Sequence, residues 1–346
     1  MPPCLVLHRN APFATALLAL LILLALPSPA ARAEEYADAK ATPQATGKIM
    51  GFVDAYHGYL ESKLRGPTLW FDNFFGDTRL EDDDIPSTSV RLRLAARFTE
   101  GQGFRFPVRL NANVVLPRVN RRLRLIAFGG NRDEDLEPRA DDAIDSSLRP
   151  EEDQDRSRVG LRYMIYKSLR DRFHFGGGLT VGWPMESYVR MQYLRLMHLG
   201  KQNVVRFSET GYWNTLHGSG ETSRLDLERV LPAQITGRLS LFASYLENDS
   251  GLQWGAETSF FRQLSAKSAL SLDLGVYGVT RPDLVTTYRI ATRYRRNFLR
   301  PWLFFEIEPE LQLPLEEDNE TRQALGILTL ALECQFYTAS QGGGSK

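Results

Sequence analysis

The segment TSVRLRLAARF, residues 88–98, alternates charged or polar side chains with apolar ones at a period of two residues. In an extended chain successive side chains point to opposite faces, so the three arginines of this segment share one face and its large apolar residues share the other. The segment therefore predicts a β-strand in a sheet that has one polar and one apolar face.

The same alternation recurs along the chain as far as Phe336 and gives 14 candidate strands. It is clear in the next segment, FRFPVRLNANVVL at residues 104–116, and weak in two later segments, where Arg195 and Glu209 fall on the apolar face. The candidate strands run from 9 to 14 residues, whereas strands of soluble proteins average about five or six. A tilted strand that crosses a bilayer needs about 9 to 11 residues, so these lengths are typical of membrane-spanning strands.

The predicted connections differ in length from one side of the sheet to the other. Compact turns such as SLRDR and LGKQN separate longer loops, which include the 25-residue acidic stretch from Asn131 to Asp155. Short turns on one side and longer loops on the other are typical of transmembrane barrels. We therefore predict an all-β fold, a transmembrane antiparallel up-and-down β-barrel of about 14 strands over residues 88–336, with 12 or 16 strands as alternatives.

Composition and hydropathy exclude two other classes of protein. The 42 basic residues are balanced by 42 acidic ones, so no excess of positive charge is present to bind nucleic acid. Beyond residue 33 no stretch approaches the roughly 18 apolar residues of a membrane-spanning helix. Residues 1–33 combine an arginine, an apolar run at 11–26 and the sequence ARA at 31–33, which predicts a secretory signal peptide.

Residues 34–87 form an N-terminal segment that we predict to be periplasmic. Apolar residues at helical spacing predict a short amphipathic helix at about residues 47–66. This unit has apolar surface to bury, either inside the barrel, at a membrane interface or on a periplasmic partner. Because the predicted interior is charged, we expect the unit to dock at the membrane interface or on the partner. The surface includes an aromatic segment at residues 70–75, which contains Trp70, Phe71, Phe74 and Phe75.

The signal peptide, the meander of hairpins and a last strand that ends on an aromatic residue resemble Gram-negative outer-membrane β-barrel proteins. This resemblance covers residues 88–336 and implies a multi-pass barrel in the bacterial outer membrane, in contact with outer-membrane lipid and lipopolysaccharide. It also implies that Phe336 belongs to the signal that the barrel-assembly machinery recognises. Residues 337–346, which follow Phe336, are predicted to form a flexible tail.

Lipid contact on the apolar face would place most charged residues in the lumen, because a charge at the bilayer midplane costs about 2 to 4 kcal/mol on the outer face of a barrel. The early strands are then basic and the late strands acidic. Opposed charged walls favour a pore for polar solutes. Ion pairs between neighbouring strands would instead link the inner-face side chains to one another and stabilise the barrel. The predicted lumen-lining residues are Arg91, Arg93, Arg97, Arg105, Arg109, Arg156, Arg158, Arg162, Arg289, Arg293, Asp226, Glu228, Glu257, Asp273, Glu306, Glu308 and Glu310.

Three functions remain open from the sequence. The leading one is a porin-like passive pore for small polar solutes. The alternative is a non-conducting structural or partner-binding barrel, and a surface lipid or peptide hydrolase comes third. The one place where a hydroxyl, an imidazole and a carboxylate occur together is HGSGE at 217–221, but adjacency in a Gly-rich loop does not orient a nucleophile and its base. We predict no catalytic residue, no metal site, since the acidic loop lacks the spacing of a calcium loop, and no cofactor.

Overall fold

The computed structural model describes residues 5–6, 74, 87–116, 122–130, 157–168, 170–181, 185–199, 202–215, 218–247, 251–281, 283–315 and 321–339. Among these residues, no helix is long and apolar enough to cross a membrane. The described residues are mostly β-strands, and a short 3-10 turn spans Pro232–Gln234. The strands are β1 (Leu5–Val6), β2 (Ser87–Thr99), β3 (Gly103–Arg105), β4 (Val108–Val115), β5 (Leu123–Gly130), β6 (Ser157–Lys167), β7 (Asp171–Val181), β8 (Glu186–Leu199), β9 (Asn203–Asn214), β10 (Gly218–Leu231), β11 (Ile235–Leu246), β12 (Leu252–Ser265), β13 (Ser268–Thr280), β14 (Asp283–Asn297), β15 (Leu303–Pro314), β16 (Arg322–Gln323) and β17 (Leu325–Ala339).

Fourteen of these strands form one closed antiparallel barrel. Each long strand pairs with the next along the chain, and β17 pairs with β2 over thirteen residue pairs, which closes the sheet. The short β3 continues the hairpin from β2 and is separated from β4 by Phe106 and Pro107, where a proline cannot donate to the ladder. The remaining short strands, β1 and β16, pair with each other in parallel. The prediction of a 14-stranded antiparallel barrel is confirmed.

The two faces of the barrel wall differ in chemistry, as the alternation predicts. On one face, which we call the outer face, large apolar side chains such as Leu94, Leu239 and Leu330 are 38 to 48% exposed. On the other, the inner face, charged and polar side chains such as Arg97 and Glu308 are buried. An exposed apolar band of this kind is stable in lipid, whereas water would leave the apolar surface unburied. Closure of the sheet pairs the backbone groups that an open strand edge would leave unpaired within the membrane.

Arg195 and Glu209, which interrupt the sequence pattern, lie on the outer face as that pattern implies. Arg195 is half exposed and lies 3.8 Å from Asp171 between Nε and Oδ1, and Tyr193 donates a hydrogen bond to the same carboxylate at 2.6 Å. Glu209 lies near the middle of β9 and accepts a hydrogen bond from Ser223 at 2.7 Å. These local partners reduce the cost of placing a carboxylate on an apolar face.

The two ends of the barrel differ in their connections. At the end where β2 begins and β17 finishes, turns are short: residues 232–234 join β10 to β11, and residues 266–267 join β12 to β13. The longest connections, at residues 131–156 and 315–324, are both at the opposite end. In outer-membrane barrels the short turns are periplasmic, so we call the first end the periplasmic end.

The structure moves the limits of the barrel slightly from those predicted. The first barrel strand begins at Ser87, and β17 continues to Ala339, three residues beyond Phe336, because its pairing with β2 continues that far. Residues 337–339, which were predicted to belong to the tail, are therefore part of β17. The predicted helix at about 47–66, the aromatic residues Trp70, Phe71 and Phe75, and Arg156 lie outside the described residues, and the signal peptide stays a prediction.

We expect Phe336→Asp to reduce the amount of folded barrel. Phe336 is 51% exposed on the outer face and stacks on Trp302 with ring centroids 5.5 Å apart, so a carboxylate there removes an aromatic contact and introduces a charge near the lipid interface. The measurement is the fraction of protein that migrates faster unboiled than boiled. Phe336→Tyr is the matched control. Equal folded fractions for Asp and Tyr would show that Phe336 is not part of the assembly signal.

Candidate functional site in the barrel interior

The inner face carries two groups of charged residues. Residue pairing between neighbouring strands puts every described residue of the predicted lumen-lining set on this face. Arginines predominate from β2 to β9, and carboxylates from β10 to β17. Most of these side chains are buried, and Arg105 and Arg109 are partly exposed. We call the first group the basic wall and the second the acidic wall.

On the acidic wall, arginines of β14 pair with the glutamates of β15. Arg289 donates to Glu310 at 2.9 Å and to Glu308 at 3.4 Å, and its Nη1 lies 3.6 Å from Glu257 of β12. Arg293 lies 3.3 Å from Glu308. Because Arg289 reaches β12 past the intervening strand β13, these side chains converge on the concave side of the sheet. The cross-strand pairs that the sequence suggests are therefore present.

A second set of ion pairs crosses the seam where the first and last strands meet. Arg295 of β14 donates to Glu306 of β15 at 3.1 Å and to Glu333 of β17 at 2.9 Å. Arg93 of β2 pairs with the same Glu306. Two arginines and two glutamates thus join β14, β15, β17 and β2, which include both strands of the closure. We call this group the seam cluster.

The other predicted acids of the inner face are also engaged. Asp226 accepts from Ser240 at 2.6 Å and pairs with Arg224 at 3.0 Å, and Glu228 accepts from Arg238 at 2.8 Å. The Glu257 carboxylate accepts from the buried Tyr277 hydroxyl at 2.8 Å. Asp273 accepts from Ser271 at 3.2 Å. Each acid therefore has a donor beside it, as buried carboxylates require.

The basic wall encloses a cavity between β5 and β8. Its volume is about 480 Å³, including its opening. Arg158 and Arg162 of the predicted set line it, and Arg158 lies over the ring of Tyr188 at 5.8 Å. None of the described residues that line the cavity carries a carboxylate. The lining residues that contribute side chains from the inner face are Ile126, Phe128, Arg158, Arg162, His174, Tyr188, Arg190 and Gln192.

Phe74 lies on the inner face, near the periplasmic end. It is 6% exposed and forms an apolar cluster with Phe261, Ala269 and Phe304. Its ring meets that of Phe304 edge to face, with centroids 5.5 Å apart and planes at 86°. We expected the aromatic segment to dock outside the charged interior. For Phe74 this expectation is wrong, because the interior provides an apolar pocket that the alternation alone does not reveal.

The hydroxyl of the candidate hydrolase loop is engaged by a neighbouring loop. Ser219 donates from its backbone N–H and its hydroxyl to the Glu247 carboxylate, at 2.9 and 2.8 Å. These two bonds, the backbone one first, lower the pKa of Glu247. Glu221 is exposed on the outer face, and His217 lies outside the described residues. Within the described part of the chain, no three His, Cys, Asp or Glu side chains are placed to hold a metal ion.

The membrane environment follows from this geometry. A closed 14-stranded sheet with charge on its inner face and an exposed apolar band outside is built to cross a bilayer with strands, which bacterial outer membranes accommodate. The protein is an outer-membrane β-barrel. Neither a protein-family model nor a curated protein matches the chain.

Solved outer-membrane proteins are similar to this barrel in fold at low sequence identity. The outer membrane channel DcaP of Acinetobacter baumannii is 8% identical with a TM-score of 0.43, over 72% of this chain and 96% of DcaP. OccK11 (OpdR) of Pseudomonas aeruginosa is 9% identical with a TM-score of 0.41, over 75% and 97%. The in-vitro folded outer membrane protein OmpT of Vibrio cholerae is 9% identical with a TM-score of 0.41, over 73% and 99%.

Sequence reasoning missed several residues of the interior. Glu333 of the seam cluster is one, although the alternation that places Cys334 outward implies that Glu333 points inward. Arg190, His174 and Gln192 of the cavity are others. Here the signal is weak, because β8 carries Arg190 and Arg195 at positions that fall on opposite faces.

Proposed function

We propose that this barrel is a passive pore for small polar solutes. The observation that carries the proposal is a closed barrel of 14 strands with a polar inner face. A barrel of about eight strands is just wide enough for its own side chains to fill, and the diameter grows roughly linearly with strand number. Fourteen strands therefore leave space beside the wall, and charged groups there keep that space wet.

The distribution of charge supports polar rather than apolar solutes. The acidic wall and the basic wall lie on different arcs of the inner face, so a solute between them experiences a transverse field. Ion pairs such as Arg289 with Glu310, whose charged atoms are 2.9 Å apart, fix the positions of the charged side chains. Fixed side chains narrow the lumen less than mobile ones and keep the field oriented.

A second candidate is a barrel whose lumen is filled, with a structural or partner-binding role. The observation that favours it is the burial of inner-face side chains at the acidic wall and the periplasmic end, where Arg295 is 1% and Phe74 is 6% exposed. Dense ion pairs and an apolar pocket near the periplasmic end would leave little water path there.

Single-channel recordings of the full-length refolded protein in planar bilayers distinguish the two candidates. We expect discrete current steps, because a polar inner face in a wide closed barrel supports ion passage. Folding is checked by faster migration before boiling. Folded protein that gives no steps, with or without its N-terminal segment, would contradict the pore and favour the filled barrel.

A further inference from the structure

We infer that the outer face carries a binding surface for anionic phospholipid headgroups at the periplasmic end of the barrel. The surface lies on four strands that all run towards this end, β8, β10, β12 and β14. Each of these strands directs one arginine outward close to its periplasmic end, and we call the four together the arginine arc. They are Arg195, Arg229, Arg262 and Arg296. The inference concerns lipid and does not depend on whether the lumen conducts.

Strand pairing arranges three of these arginines in a regular row. From Arg229 the pairing across β11 leads to Phe260 of β12, two residues before Arg262. The same step across β13 leads from Arg262 to Tyr294 of β14, two residues before Arg296. A constant step of this kind follows the stagger of a closed, tilted barrel. The Cα atoms of successive arginines in the row are therefore about 10 to 12 Å apart.

The periplasmic end of the outer face has an excess of positive charge. Among the described residues of this end, Asp171 is the one acidic residue on the outer face, and it lies 3.8 Å from Arg195. Arg229 and Arg296 are exposed, as is Lys267 in the adjoining turn. A surface with so many cations and so little compensating charge attracts anions.

The arginine arc lies at the level where lipid headgroups are expected. Tyr294 is two residues from Arg296 on the same face of β14, and Trp302, in the turn that follows, is 42% exposed. Tyrosine and tryptophan are enriched at the interface between membrane and water. An arginine beside them can lay its apolar stem along the apolar band and extend its guanidinium to the headgroups.

The opposite end of the same four strands lacks such a row. Among their described outward-facing residues, none at that end is basic, and Glu221 is exposed there. The positive surface therefore belongs to one leaflet, the periplasmic one, which in an outer membrane consists of phospholipids. A guanidinium forms charge-assisted bonds with two phosphate oxygens at once. Anionic phospholipids are favoured over zwitterionic ones, whose headgroup cation is repelled by the arginines.

The test measures which lipid the barrel surface retains. The full-length protein is refolded in phosphatidylcholine vesicles with a trace of spin-labelled lipid, and electron paramagnetic resonance separates label held at the protein from label in the free bilayer. We expect retention of spin-labelled phosphatidylglycerol to exceed that of spin-labelled phosphatidylcholine about two-fold or more. Salt at about 0.5 M should remove most of this preference, because exposed charges are screened. Equal retention of the two lipids by the unmodified protein would overturn the proposal.

Variants locate the preference on the arc. The combined changes Arg229→Gln, Arg262→Gln and Arg296→Gln should bring the retention of phosphatidylglycerol close to that of phosphatidylcholine. Lysine at the same three positions is the matched control and should keep most of the preference, because the charge is retained. Arg281→Gln removes an exposed charge at the opposite end and should leave the preference unchanged. A loss in Arg281→Gln as large as in the triple glutamine variant, with folding confirmed by migration before boiling, would refute binding at the periplasmic end.

Discussion

Removal of residues 34–80 is expected to increase the conductance of the barrel while leaving the barrel folded. Phe74 belongs to this segment, and its ring is buried on the inner face among Phe261, Ala269 and Phe304. The Phe74 side chain therefore lies in the interior near the periplasmic end, where it would narrow the proposed pore. Without it, the conductance should rise to that of the unobstructed barrel.

The single change Phe74→Ala tests whether this ring holds the segment in place. Truncation of a buried phenylalanine costs about 3 to 5 kcal/mol, which lowers the ratio of docked to undocked segment by a factor of about 100 or more. We expect single-channel recordings of this variant to show larger steps or frequent transitions to them. Migration before and after boiling confirms that both variants contain a folded barrel.

The pocket itself supplies a matched variant for this prediction. Phe304 lies under the guanidinium of Arg295 at 4.3 Å and forms the edge-to-face contact with Phe74. Phe304→Leu keeps an apolar side chain but removes the ring, so it should produce a smaller increase than Phe74→Ala. Conductance that stays the same after deletion of residues 34–80, in a folded barrel, would show that the segment does not restrict the path.

The barrel could be predicted from the sequence because one physical rule applies to most of its strands. Lipid outside and charge inside require alternation, and the segment at 88–98 shows it at every position except Thr88 and Ala95. The weak segments are those where the rule is broken by local partners, as at Glu209, whose carboxylate is hydrogen-bonded by Ser223 on the outer face. Alternation reports the face of a residue and is silent about such partners.

The cavity and the Phe74 pocket could not be predicted in the same way. Both depend on inner-face residues that are apolar or lack a side chain, such as Phe128, Gly176 and Phe304, within a face that is otherwise charged. In the sequence these residues only interrupt the alternation of charged and apolar side chains. Their meaning comes from register, which brings Gly176 between Arg162 and Arg190 and Phe304 beside Glu333.

Replacement of Arg295 by methionine is expected to destabilise the barrel at its closure by several kcal/mol. Arg295 is 1% exposed and holds two carboxylates, those of Glu306 and Glu333. Removal of one partner from a buried ion pair costs about 3 to 5 kcal/mol, because the remaining charge is left buried. Here the charge left behind lies at the seam, beside the pairing of β17 with β2 that closes the sheet.

The measurement is the urea concentration at which half of the protein in lipid vesicles has unfolded, that is, no longer migrates faster before boiling than after it. Arg296→Met is the matched control, since Arg296 is the next residue of β14 but is exposed on the outer face, where substitutions usually change stability by about 0.5 kcal/mol or less. Addition of Glu333→Gln to Arg295→Met should recover part of the loss, because it removes one of the two orphaned carboxylates. Equal midpoints for the Arg295 and Arg296 variants would mean that the seam cluster contributes nothing to closure, and that backbone pairing between β17 and β2 suffices to hold the first and last strands together.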